Sequence, residues 1–163
     1  MLRTLCFTAV CCAAIQGIAQ SSLLDKPEHI VKTEAVQYLY PEQVSIPAGK
    51  STPVELHFRV APGLHINSHA PKDELLIPTT LLFPEGSGVK LDEANYPHGA
   101  DFVLPVEPRT KLNVYTGEFV IQARITAAAG NHLVEAKLRY QACDQQQCMP
   151  PKTITAAMDV IGK

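Results

Sequence analysis

Two cysteines near the C-terminus, Cys143 and Cys148, carry the most distinctive chemistry in this 163-residue chain. They lie in the segment Leu138-Arg139-Tyr140-Gln141-Ala142-Cys143-Asp144-Gln145-Gln146-Gln147-Cys148-Met149-Pro150-Pro151. An apolar-alternating run leads into Cys143, four polar residues make a turn, and Cys148 opens the return. Prolines then block further strand pairing at that point. Cysteines flanking a turn can come within bonding distance. The chemistry open to such a pair is reversible thiol–disulfide exchange, a structural clip, or metal ligation. A short clip gains little: the chain-entropy model gives about 2 kcal/mol for a loop of this size, against about 4.7 for a hundred-residue loop. A copper site of the blue type needs a cysteine, two histidines and a weak methionine. Cys148 and Met149 are adjacent and cannot easily face one ion, and no histidine follows Cys148. His65 and His69 could supply nitrogens for copper or zinc only from a distant part of the chain.

The remaining three cysteines, Cys6, Cys11 and Cys12, sit in a leader. Arg3 gives a charged start, Leu5 to Ile15 an apolar middle, and Gly17-Ile18-Ala19 a small-residue end. That is the pattern of a secretory signal, with the cut expected after Ala19. The apolar run is too short for a spanning helix, which needs about 20 residues. Val10 before Cys11, and Cys11 before Cys12, are poor fits to a lipidation site. Processing leaves residues 20–163, with 13 basic and 16 acidic side chains and a net charge of −3. Only Cys143 and Cys148 then remain. An exported soluble product with no stable membrane insertion is expected. The absence of a basic excess argues against nucleic-acid binding.

The rest of the chain must position the pair. Val54, Leu56, Phe58 and Val60 alternate with polar residues, as do Phe119, Ile121, Ala123 and Ile125, and Val134, Ala136, Leu138 and Tyr140. Period two with one apolar face is a half-buried strand. Val36–Tyr40, Thr79–Phe83, Val89–Leu91 and Thr153–Val160 are shorter candidates. Pro- and Gly-containing breaks separate them. The pattern predicts an all-β antiparallel sandwich over residues 34–163, preceded by a polar lead-in arm at 20–33. Asp92 to Thr110, rich in turn formers and without clear alternation, is expected to be a long functional loop.

Tyr140-Gln141-Ala142-Cys143 through Cys148-Met149-Pro150-Pro151-Lys152-Thr153 resembles the redox-active segment of the N-terminal periplasmic domain family of the bacterial thiol:disulfide interchange protein DsbD. Gly63-Leu64-His65-Ile66-Asn67-Ser68 and Leu76-Ile77-Pro78-Thr79 resemble other landmarks of that family. The resemblance covers about residues 34–161 and implies an immunoglobulin-like β-sandwich. It implies that Cys143 and Cys148 form a reversible disulfide, with Cys148 making the mixed disulfide to partners. It places His65 and Asn67 near the pair, and a cap over it at Asp92–Phe102. The implied partners are a membrane thiol:disulfide transporter as electron donor, and thioredoxin-like periplasmic proteins as acceptors. The acceptors include disulfide isomerases and cytochrome c maturation thioredoxins. No cofactor and no metal are implied. Some family members have five residues between the cysteines, whereas this chain has four. The chain stops at Lys163, so a stand-alone domain with a separate donor is expected.

Asp144 beside Cys143 should raise a thiol pKa by like-charge repulsion, giving a pair reactive mainly when docked. His65 is either an aid to proton transfer or an ordinary exposed imidazole. Tyr96 and Phe102 either cap the pair or pack. The other classes open to the residues are an immunoglobulin-like binding module with a structural disulfide, and a copper or zinc carrier.

Overall fold

The computed structural model describes residues 34–40, 43–104 and 107–163, with side chains described outside 104–110. The predicted leader at 1–19 and arm at 20–33 lie outside the described residues, and so do Cys6, Cys11 and Cys12. The described residues form twelve strands and no helix.

The first sheet contains β1 (Val36–Leu39), β3 (Thr52–Val60), β9 (Glu118–Ala127) and β6 (Val89–Asn95), in the order β1-β3-β9-β6. The second contains β2 (Gln43–Ile46), β12 (Lys152–Gly162), β10 (Gly130–Tyr140) and β5 (Thr80–Leu82), in the order β2-β12-β10-β5. Their apolar faces share one core. Val54, Leu56, Phe58, Ile121, Ala123 and Ile125 from the first sheet join Val134, Ala136, Leu138, Tyr140, Ala156 and Val160 from the second. Alternate residues of β3, β9, β10 and β12 point outward, as period two requires. Phe58 stacks on Phe119 at 5.4 Å and Phe119 on Tyr115 at 4.8 Å, carrying the core toward one end of the sandwich. The strand pairs are antiparallel except β12 with β2. This is an immunoglobulin-like sandwich.

A third sheet carries the site: β11 (Ala142–Cys143), β4 (His65–Asn67), β8 (Glu107–Tyr115) and β7 (Ala100–Leu104), in that order.

The long loop expected from Asp92 to Thr110 is not there. β6 runs through Asn95, β7 and β8 pair as a hairpin, and only Tyr96 to Gly99 connects β6 to β7. Two register shifts, at Leu91/Glu93 and Val103/Leu104, break the alternation that would have marked these strands. β6 is also an edge strand with mostly exposed residues, so it shows little apolar period.

Candidate functional site: a disulfide on a projecting turn

β10 delivers the chain to Tyr140, whose side chain is fully buried in the sandwich core. Gln141 then redirects the backbone into β11, which leaves the second sheet and pairs with β4, Ala142 opposite Ile66 and Cys143 opposite His65. A tight turn follows. Asp144 N–H donates to the Gln147 carbonyl at 3.0 Å. The Asp144 carboxylate Oδ1 accepts from Gln146 N–H at 2.7 Å and Gln147 N–H at 2.8 Å. Those two donors hold the Asp144 carboxyl below the usual carboxylate range, with a smaller contribution from His65. Cys148 returns opposite Cys143 in an antiparallel bridge, and the two sulfurs are bonded at 2.03 Å. Met149 N–H donates to the Ala142 carbonyl at 2.8 Å. Pro150 and Pro151 offer no N–H, and β12 begins only at Lys152.

The two cysteines differ in access. Cys143 is 1% exposed, whereas Cys148 lies on the exposed side of the turn. Solvent thus reaches residue 148, while Cys143 is shielded.

Behind the pair lies a polar brace. Asn67, fully buried on β4, donates from Nδ2 to the Ile77 carbonyl at 3.0 Å and to Gln141 Oε1 at 3.2 Å. Gln141 Nε2 donates to the Met149 carbonyl at 3.2 Å. Thr79 Oγ1 donates to the Asn67 carbonyl at 2.6 Å. The brace thus ties β4, the Ile77–Thr79 segment and both arms of the cysteine turn into one unit.

His65 is 2% exposed, not the exposed imidazole that its place at a strand end allows. Its ring lies 4.3 Å from that of Phe102 on β7. Burial lowers its pKa, opposed by the charge of Asp144. His65, Phe102, Leu64 and Gln145 line a groove of about 520 Å³ that runs past the turn to Arg59 and Glu118.

Tyr96 is placed elsewhere. Its ring stacks on His69 at 3.8 Å, and its hydroxyl accepts from Leu81 N–H at 2.8 Å. His69 Nδ1 meets the Thr79 carbonyl at 3.0 Å. The Tyr96–Gly99 connection is pinned further: Tyr115 Oη donates to the Pro97 carbonyl and Asn113 Nδ2 to the Gly99 carbonyl, each at 3.0 Å. Of the two aromatics in the segment expected to cap the pair, only Phe102 therefore reaches His65. Among the described residues, no three His, Cys, Asp or Glu side chains converge to hold a metal ion.

The family model for the N-terminal region of the thiol:disulfide interchange protein DsbD matches residues 35–159. The chain belongs to that family. Thiol:disulfide interchange is accordingly its family-level activity, and Cys143–Cys148 is the disulfide of this DsbD N-terminal domain. Among curated proteins none matches the chain. The reduced DsbD N-terminal domain of Neisseria meningitidis is similar over 71% of this chain and 81% of its own, with 18% identity and a TM-score of 0.46. The N-terminal periplasmic domain of ScsB from Proteus mirabilis is similar over 76% of this chain, with 14% identity and a TM-score of 0.49. This chain spans 44% of that ScsB structure.

Sequence reasoning did not single out three residues, two that brace the disulfide and one that fixes the β6–β7 connection. Gln141 bridges Asn67 to Met149, Thr79 fixes the backbone of Asn67, and Gly99 admits the β6–β7 connection. Gln141 and Thr79 stood inside segments that carried the family resemblance, but nothing local marked their partners.

Proposed function

We propose that this domain is an exported electron carrier that cycles the Cys143–Cys148 disulfide between a membrane thiol:disulfide transporter and periplasmic thioredoxin-like acceptors. The observation that carries it is the asymmetry of access: an exposed Cys148 on a projecting turn, bonded to a buried Cys143. A purely structural clip has no need of that arrangement, and the short loop it closes would stabilise the domain by only about 2 kcal/mol.

In the proposed cycle a donor thiolate attacks Cys148 Sγ. The intramolecular S–S bond breaks and its electron pair leaves on Cys143, which takes up a proton. A second donor thiolate attacks the donor sulfur of the mixed disulfide and releases Cys148. The donor is left as a disulfide and the domain as a dithiol, a two-electron transfer. Delivery runs the same steps in reverse order, with the Cys148 thiolate attacking an acceptor disulfide.

Among the described residues no helix is long and apolar enough to cross a membrane. The signal-like leader supports export. Alkylating the protein's thiols directly in intact cells tests the reading. A carrier shows a reduced Cys143/Cys148 fraction that rises when acceptors are removed. A uniformly oxidised pair, insensitive to donor or acceptor, overturns it.

A further inference from the structure

Exchange through Cys148 leaves a proton to be managed at Cys143. Cys143 is buried, and burial disfavours a thiolate. Yet Cys143 must become one to release an acceptor held on Cys148. A group that takes its proton has to sit on the buried side of the pair.

We propose that His65 accepts the Cys143 proton in this resolving step. Cys143 and His65 are direct partners across β11 and β4, so their side chains leave the same face with Cβ atoms about 5 Å apart. His65 Nε2 is buried and has no hydrogen-bond partner. A buried nitrogen without a partner is disfavoured, and such an atom needs a reason for being there. In the oxidised domain shown here Cys143 has no proton to give, so an idle Nε2 is what a proton acceptor for that thiol should display. The Phe102 ring at 4.3 Å packs against the imidazole and limits its exposure to water.

The step balances. In the mixed disulfide between Cys148 and an acceptor, Nε2 removes the Cys143 thiol proton. The Cys143 sulfur attacks Cys148 Sγ, and the Cys148–acceptor bond breaks with its electron pair on the acceptor sulfur. The domain ends as a disulfide and the acceptor as a dithiol, the imidazolium passing its proton to the departing thiolate or to water. Burial lowers the His65 pKa and so favours the neutral, accepting form of the ring. Asp144, on the turn that follows β11, stabilises the imidazolium. The other charges around the groove are paired with each other: Arg59 with Glu118, and Asp101, beside Phe102 on β7, with Lys72. The Tyr115 phenol on β8 is engaged with Pro97.

This inference rests on the carrier reading, and one assay separates the two. The reduced full-length protein is mixed with dithiobis(nitrobenzoate), and release of the thionitrobenzoate anion is followed by rapid mixing across pH. The first phase is attack by Cys148 and the second is resolution by Cys143. The wild-type second phase should inflect where the His65 imidazole titrates by NMR in the reduced protein, below the ordinary histidine value. His65→Gln should slow the second phase about 100-fold at neutral pH, leaving the first phase and the final yield unchanged. His65→Asn serves if the glutamine variant does not fold, and the wild-type comparison needs no variant. A second phase altered less than about twofold, or an inflection apart from the imidazole titration, overturns the role of His65. Release of a single equivalent by wild type would overturn the carrier reading itself.

Discussion

Asn67 and Gln141 are joined side chain to side chain, Nδ2 to Oε1 at 3.2 Å, across 74 residues of sequence. The bond fastens the strand that holds His65 to the segment that leads into Cys143. Gln141 passes the connection on to the Met149 carbonyl, beyond the second cysteine. A buried amide that hydrogen-bonds to neither cysteine thus ties together the two flanks of the disulfide.

Asn67→Ala should destabilise the domain by about 1–3 kcal/mol, because it leaves the Ile77 carbonyl and Gln141 Oε1 without their donor. Urea denaturation of the oxidised protein measures this. The same variant should increase exchange of the Met149 N–H, which donates to the Ala142 carbonyl next to the braced Gln141.

The pH dependence of stability should carry the mark of His65. Its pKa is lowered in the folded state by burial, so between the folded and unfolded values the unfolded chain binds the extra proton. The contribution is complete above about pH 6.5 and is lost as pH falls toward the folded value. Urea midpoints should drop from about pH 7.5 to about pH 5 in wild type, and drop less in His65→Phe. Equal drops would remove His65 as the cause.

Asp144 should act lower on the scale. Its folded pKa is depressed by the two turn N–H groups, so its contribution is present above about pH 4 and disappears as pH falls through the folded value. Asp144→Asn keeps an acceptor oxygen but not the charge. Its stability difference from wild type should shrink in acid, and amide exchange at Gln146 and Gln147 should rise modestly at neutral pH.

Much of the scaffold was legible because it buries one face. Val54 to Val60, Phe119 to Ile125 and Val134 to Tyr140 alternate in sequence and alternate in burial. β4 was not legible as a strand by period: His65, Ile66 and Asn67 are all buried, so three residues show no alternation. β6 to β8 were hidden by bulges and by an exposed edge. Around the site, spacing marked Cys143 and Cys148 because their partner is five residues away. Asn67 to Gln141, His65 to Phe102 and His69 to Tyr96 are tertiary meetings, and alternation states which side a residue faces but not whom it meets there.

Gly99→Ala should destabilise by about 1–3 kcal/mol through overpacking. An added Cβ would lie 2.2 Å from Asn113 Oδ1 and 2.9 Å from Ser68 Cβ, and Asn113 is itself bonded to the Gly99 carbonyl. Thermal unfolding measures the loss. If the Tyr96–Gly99 connection is a fixed clamp rather than a lid, exchange kinetics at Cys148 should be unchanged.

The two cysteines should trap partners unequally. Cys143→Ser leaves the exposed Cys148 and should accumulate a mixed disulfide with an oxidised thioredoxin-like protein. Cys148→Ser leaves the 1%-exposed Cys143 and should accumulate at least about tenfold less. Non-reducing gels read the ratio, and equal trapping would reverse the assignment.

The most direct measurement is the redox equilibrium of the Cys143–Cys148 disulfide against glutathione or thioredoxin. The account predicts a pair that equilibrates reversibly, with a potential above about −300 mV and transfer of electrons onto a thioredoxin-like disulfide. A potential below about −300 mV, with no exchange onto any such partner, would make the bond a structural clip and contradict the account.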